Sequence, residues 1–181
     1  MAYAFDQHCK AARLAATREP VGILQDGSQK RPGDIFLPDY DRGAPTALDF
    51  RVTNNKQDAL LKEPLLPIGR AARLGYAQKM TAWHAKCAAV GVKFIPMAVD
   101  VYGYWHPESL RVFHEVAKRR ADFTEREPDL EFKYLLQHMA LILQRENARI
   151  LIDHKRIDPP TDEASDDEIV IIDEEEVAPS G

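Results

Sequence analysis

Arg31-Pro32-Gly33-Asp34-Ile35-Phe36-Leu37, followed after a polar loop by Ala47-Leu48-Asp49-Phe50-Arg51-Val52-Thr53, is the stretch from which the fold of this chain can be read. The first segment ends in a short apolar strand, Asp34 to Leu37, behind a turn-rich basic run over 26–33. Pro38 is expected to stop that strand, because proline brings no N–H to a ladder. A loop from Asp39 to Pro45 then leads into Ala47–Thr53. There Leu48, Phe50 and Val52 share one face while Asp49, Arg51 and Thr53 share the other, the two-residue period of a strand. Asp49 is therefore free of the face that Leu48 and Phe50 bury.

Upstream, Phe5, Cys9, Ala12 and Ala16 recur at helical spacing and predict a helix from Tyr3 to Arg18, ended by Pro20. Val21 to Leu24 is read as the first strand. Downstream, a polar stretch runs to Pro67, and Ile68 to Val90 forms the strongest helical pattern. Its stripe is Tyr76, Met80, Trp83, Cys87 and Val90, with Gly91 placed as a C-cap glycine. Phe94 to Val99 is apolar almost throughout, as a strand covered on both faces is. Two helices follow, Pro107 to Asp122 and Asp129 to Ile152, the second with a core face of Phe132, Leu135, Leu136, Met139, Ile142 and Leu143. The order is helix, three strands, helix, strand, two helices, which implies α/β with a mixed sheet.

Composition narrows the classes. Hydrophobic content of 45% in 181 residues supports one core, and no apolar run approaches the roughly 18 residues of a membrane span. No secretory signal is readable at the polar N-terminus, and two cysteines, Cys9 and Cys87, make no disulfide framework; an intracellular setting follows. The net charge of −5 conceals a segregation: Asp158 to Gly181 holds ten acidic residues and neither Lys nor Arg, leaving 19 acidic against 24 basic residues upstream. A basic body of this kind is the electrostatic footprint of a nucleic-acid binder, and DNA would place the protein in the nucleus. Arg51, Lys56, Arg70, Arg73, Lys79 and Lys86 are the candidate phosphate contacts.

Phosphodiester hydrolysis needs a cation to neutralise charge on the phosphate and activate water, and Mg2+ or Mn2+ takes oxygen ligands. Asp34 and Asp49, on strands expected to be antiparallel neighbours, are the candidate pair. His84 and Cys87, or His8 and Cys9, offer no compact zinc set.

The Arg-Pro-x-Asp and Asp-Phe-x-Val runs, with fourteen residues between Asp34 and Asp49, resemble the signature of restriction-like PD-(D/E)XK endonuclease domains carried by site-specific non-LTR retrotransposons. The likeness extends to His8, to Gly91–Pro96 and to Asp100–Trp105, and covers roughly residues 5–120. It implies a PD-(D/E)XK nuclease-like core, α-β-β-β-α-β, over 1–122, with a helical extension over 123–157 and an acidic tail over 158–181. It further implies that Asp34 and Asp49 bind the metal, with the Phe50 carbonyl as an added ligand and Glu19 as an accessory acid. Where the wider superfamily has its lysine, this chain has Arg51, which stays protonated and handles protons poorly. Relatives that draw the lysine from the next helix point to Lys79, roughly 60° off the predicted stripe and so at its edge. Gly33 also departs from the strict motif.

The expected function is thus a Mg2+- or Mn2+-dependent DNA endonuclease derived from a retroelement. The rival is a nuclease-fold module without catalysis that binds DNA or protein. In the tail, Ile169-Val170-Ile171-Ile172 between acidic borders resembles a SUMO-interacting motif, in which a β-branched strand adds to a sheet edge of a ubiquitin-like partner.

Overall fold

The structure is a computed structural model that describes residues 1–27, 30–41, 43–54 and 68–157. Its elements are α1 (Ala2–Ala11), β1 (Thr17–Arg18), β2 (Ile35–Asp41), β3 (Ala44–Thr53), α2 (Arg70–Ala88), β4 (Lys93–Asp100), α3 (Pro107–Thr124) and α4 (Pro128–Ile157). The sheet order is β1-β2-β3-β4; the first two pairings are antiparallel and β3 runs parallel to β4. The chain is α/β with a mixed sheet, as its periodicities require.

Alternation along β3 divides the core. Leu48 faces a large cluster with Phe5, Ile35, Phe113, Val116, Leu135 and Met139, contributed by α1, β2, α3 and α4. Phe5 meets Phe50 edge-on at 5.7 Å and Phe113 at 5.0 Å, and Trp105 meets Phe113 at 4.7 Å. Each fully buried side chain of this size contributes about 1.5–3 kcal/mol. Ala47 faces the opposite way, into a smaller cluster with Cys87, Val92 and Phe94 beneath α2. The sheet is therefore covered on both sides. Leu135, Met139 and Leu143 carry α4 into the larger cluster, so the helical extension shares the core of the first 122 residues.

Three expectations need correction. The first helix ends at Ala11, well short of Arg18. Arg13 adopts φ 54°, its N–H donates to Lys10 O at 2.9 Å, and Leu14 N–H donates to Cys9 O at 2.9 Å. This is a Schellman stop made without glycine. Residues 17 and 18, released from the helix, form β1, whereas Val21 to Leu24 is a turn and not a strand. Ile23 and Leu24 are apolar because they close the smaller cluster. Finally, Pro38 does not stop β2. It lies beyond the two β1 partners, Phe36 and Ile35, within the irregular stretch between Leu37 and Asp41 where its missing N–H breaks no ladder.

Gly91 occupies its expected place. With φ 71° it donates to Ala88 O, and Val92 donates to Cys87 O, both at 3.0 Å. The chain leaves α2 there and enters β4 in register with β3, Asp49 beside Pro96 and Thr53 beside Asp100. Lys56 and Ile169 to Ile172 lie outside the described residues.

Candidate active site

Asp34 immediately precedes β2 and is tied to β3 twice. Its N–H donates to Leu48 O at 2.8 Å, and its Oδ2 accepts the Phe50 N–H at 2.7 Å. Asp34 thus grips the residues on either side of Asp49. Gly33 makes this approach feasible: a β-carbon there would lie 2.9 Å from Leu48 O and 3.2 Å from Ala47 Cβ. The glycine that departs from the family motif is required by the closeness of the two chains.

Asp49 points to the α2 side. Its side chain is 10% exposed, and the Lys79 ammonium stands 2.6 Å from Oδ2. This is an ion pair by distance only; Oδ2 is buried and accepts no well-angled hydrogen bond. Burial pushes the Asp49 carboxyl upward, Lys79 opposes that, and neighbouring Asp34 adds to it.

Lys79, expected at the edge of the buried face and within reach of the sheet end, does reach the sheet, but from near the centre of that face. The buried residues of α2 are Ala71, Ala72, Gly75 and Cys87, with Met80, Trp83 and Val90 only partly covered. Ala72, Gly75 and Lys79 lie on one side at i, i+3 and i+7, so the inward face is centred on small residues and on Lys79 itself. A β-carbon on Gly75 would lie 2.2 Å from Thr53 Oγ1 and 3.3 Å from Arg51 Cγ. The helix therefore rides directly on β3, and the close approach brings the ammonium to Asp49. The apolar stripe concealed this, because two alanines and a glycine score weakly beside Tyr, Met and Trp. Tyr76 turns instead to His106, ring on ring at 3.8 Å.

Glu19 joins the site through backbone alone, its N–H donating to Asp34 O at 2.8 Å. Its carboxylate, 70% exposed, is held by Arg31 at 2.8 Å. Arg51 is on the Asp49 face of β3 and favours the ionised Asp49 carboxylate. Arg70 opens α2, Arg73 reaches back to the Ile68 carbonyl, and Lys86 lies 4.9 Å over the Trp83 ring. These three share a helix with Lys79, while Lys56 lies outside the described residues.

Among the described residues, no three His, Cys, Asp or Glu side chains come together as a metal group. Cys9 and Cys87 are buried free thiols, and His8 pairs with His138 at 2.9 Å. Two carboxylates remain at the site. For Mg2+ or Mn2+ that number fits, since such ions use one or two protein carboxylates and complete their shell with water and substrate phosphate. Asp49 Oδ2 faces the Lys79 ammonium at 2.6 Å, so an ion held there would share that oxygen with the lysine.

No protein-family model, curated protein or solved structure matches the chain.

Proposed function

We propose that this protein is a metal-dependent DNA endonuclease with a PD-(D/E)XK-like core, descended from a retroelement nuclease. The observation that carries the reading is the Lys79 ammonium 2.6 Å from a buried Asp49 carboxylate that Asp34 flanks. Asp34 and Asp49, with the Phe50 carbonyl, would hold Mg2+ or Mn2+. The ion, when bound, supplies charge neutralisation for the phosphate and lowers the pKa of water. Asp34 holds β3 so that Asp49 stays directed at α2. Lys79 favours the ionised form of Asp49 against its burial and presents a cation beside the place where negative charge builds up. Arg51, Arg70 and Arg73 would grip flanking phosphates.

Nicking of supercoiled plasmid in Mg2+ or Mn2+ tests this reading. Wild type should nick, EDTA should stop it, and Asp49→Asn should reduce the rate by about a hundredfold or more, the scale on which loss of one charge-stabilising group is felt. Nicking that survives Asp49→Asn removes the site.

The second reading is a catalytically silent module that binds DNA or protein, favoured by Arg51 at the superfamily's lysine position and by the closed Asp49–Lys79 pair. It predicts retained DNA binding with no nicking. In either case Ile169–Ile172 offers a ubiquitin-like partner, SUMO foremost, a β-branched segment with acidic flanks. SUMO binding that persists after its deletion excludes that role.

A further inference from the structure

Tyr102, Tyr104 and His106 follow β4 at the end of the sheet where β3 also finishes, Tyr76 of α2 stacks on His106, and neither hydrophobic cluster includes these rings. Buried Asp100 builds the corner: its Oδ1 accepts the N–H of Tyr102 at 3.0 Å and of Tyr104 at 2.9 Å. Trp105 turns from this corner into the core, while Tyr102 stays 74% exposed. The Tyr104 ring lies against Gly69, at φ 75°, where a β-carbon would intrude on it. His106 then stacks on Tyr76 with planes 10° apart and caps α3 by accepting the Glu108 N–H on Nδ1. Arg73 is exposed on the same turn of α2 and acts electrostatically on His106.

These rings adjoin the candidate active site. Tyr76 precedes Lys79 by three residues, about 4.5 Å along the helix. Asp100 pairs with Thr53, four residues beyond Asp49, about 13 Å along the strand. At 3.4 Å per base these distances correspond to about one to four nucleotides from the scissile phosphate. Asp100 fixes the backbone of this corner so that Trp105 and Tyr104 pack inward while Tyr102 stays in solvent.

We propose that Tyr102, Tyr104 and the Tyr76–His106 pair form a stacking platform for an unpaired nucleobase beside the cut, so that the preferred substrate is DNA with a single-stranded stretch there. Paired bases are already stacked on one another and cannot use the platform. An unpaired base can, whatever its identity, because every base has a π-face. Arg73 then meets the adjoining phosphate. The position of the cut rests on the nuclease reading; the stacking of the base does not.

The test uses the full chain and 2-aminopurine placed in a five-nucleotide gap, against the same sequence fully paired, in EDTA so that cutting is off. Gapped DNA should bind more tightly, with quenched 2-aminopurine emission. Tyr102→Ala should reduce the gapped-to-duplex affinity ratio about tenfold, and Tyr102→Phe should keep it. Equal binding of both DNAs without quenching overturns the platform, as does a ratio unmoved by Tyr102→Ala. Quenching in a protein that never nicks leaves the platform standing and removes the nuclease reading. Nicking with no gap preference does the reverse.

Discussion

Asp34 accepts the Phe50 N–H on its carboxylate at 2.7 Å and so fixes the strand position directly after Asp49. Its role in the fold and its role toward a cation are chemically separable. Asn at this position retains an acceptor oxygen and loses the charge; Ala loses both. Asp34→Asn should therefore fold with nearly wild-type stability yet fail to nick. Asp34→Ala should also lose about 1–2 kcal/mol through the orphaned N–H. Urea unfolding of the two variants beside the plasmid assay checks this. Equal stability of both variants would mean that the bond does not hold β3.

Removing Lys79 leaves a buried carboxylate beside Asp34 with Arg51 as its nearby cation. Lys79→Ala should cost about 1–3 kcal/mol near neutral pH. The cost should shrink as pH falls, because Lys79 lowers the Asp49 carboxyl against burial and Asp34; without it the folded variant takes up the proton at higher pH than folded wild type and is relieved of the buried charge. The stability gap between wild type and Lys79→Ala, followed by urea midpoint from pH 8 to pH 4, is the measurement. A gap constant over that range contradicts the pairing.

Gly75→Ala tests the close approach of α2 to β3. Alanine favours an isolated helix by about 1 kcal/mol, so propensity predicts stabilisation. The 2.2 Å conflict with Thr53 Oγ1 predicts the opposite, a loss of about 1–3 kcal/mol as the helix lifts. Nicking should fall with it, since lifting α2 draws Lys79 away from Asp49. Thermal unfolding gives the sign directly.

Metal binding should be visible without catalysis. A cation held by Asp34 and Asp49 binds only the folded chain, stabilises it by about 2.7 kcal/mol at a hundred times Kd, and so raises Tm with concentration. Mg2+ should stabilise wild type, and the increment should vanish in Asp49→Asn. An equal increment in both proteins would place the ion elsewhere.

A separate pH dependence comes from α1. Burial, then His138, then Arg120 lower the His8 imidazole from 6.5 to about 4, with Glu131 opposing. For a base depressed by folding, the stabilisation is complete above pH 6.5 and is lost as pH falls toward about 4. His8 Nδ1 faces Arg120 at 3.3 Å, and Glu131, paired with Arg120 and Arg126, is the nearby counter-charge. Stability measured between pH 6.5 and 4 should decline more steeply in wild type than in His8→Gln.

Much of this architecture was written in local pattern. The alternation of Leu48, Asp49, Phe50 and Arg51 fixes which face each meets, and Gly91 supplies the positive φ that ends α2. The arginine-proline-aspartate run likewise marked Asp34 and Asp49 before any fold was known. What local pattern misplaced were the positions where backbones nearly touch. Arg13 took a left-handed turn without being glycine, shortening α1 and freeing β1, and Pro38 was tolerated because β1 ends before reaching it.

The sequence by itself determined the order of elements, the division of the core between two sheet faces and the identity of the acidic pair. Those follow from periodicity and side-chain chemistry, which act over a few residues. Only tertiary structure decided that Lys79 meets Asp49, that Glu19 keeps its carboxylate on Arg31, and that Tyr76 leaves the helical stripe for His106. Each depends on how closely two distant backbones approach. Glycine and alanine set that distance by the atoms they lack, and a hydrophobic pattern does not register missing atoms.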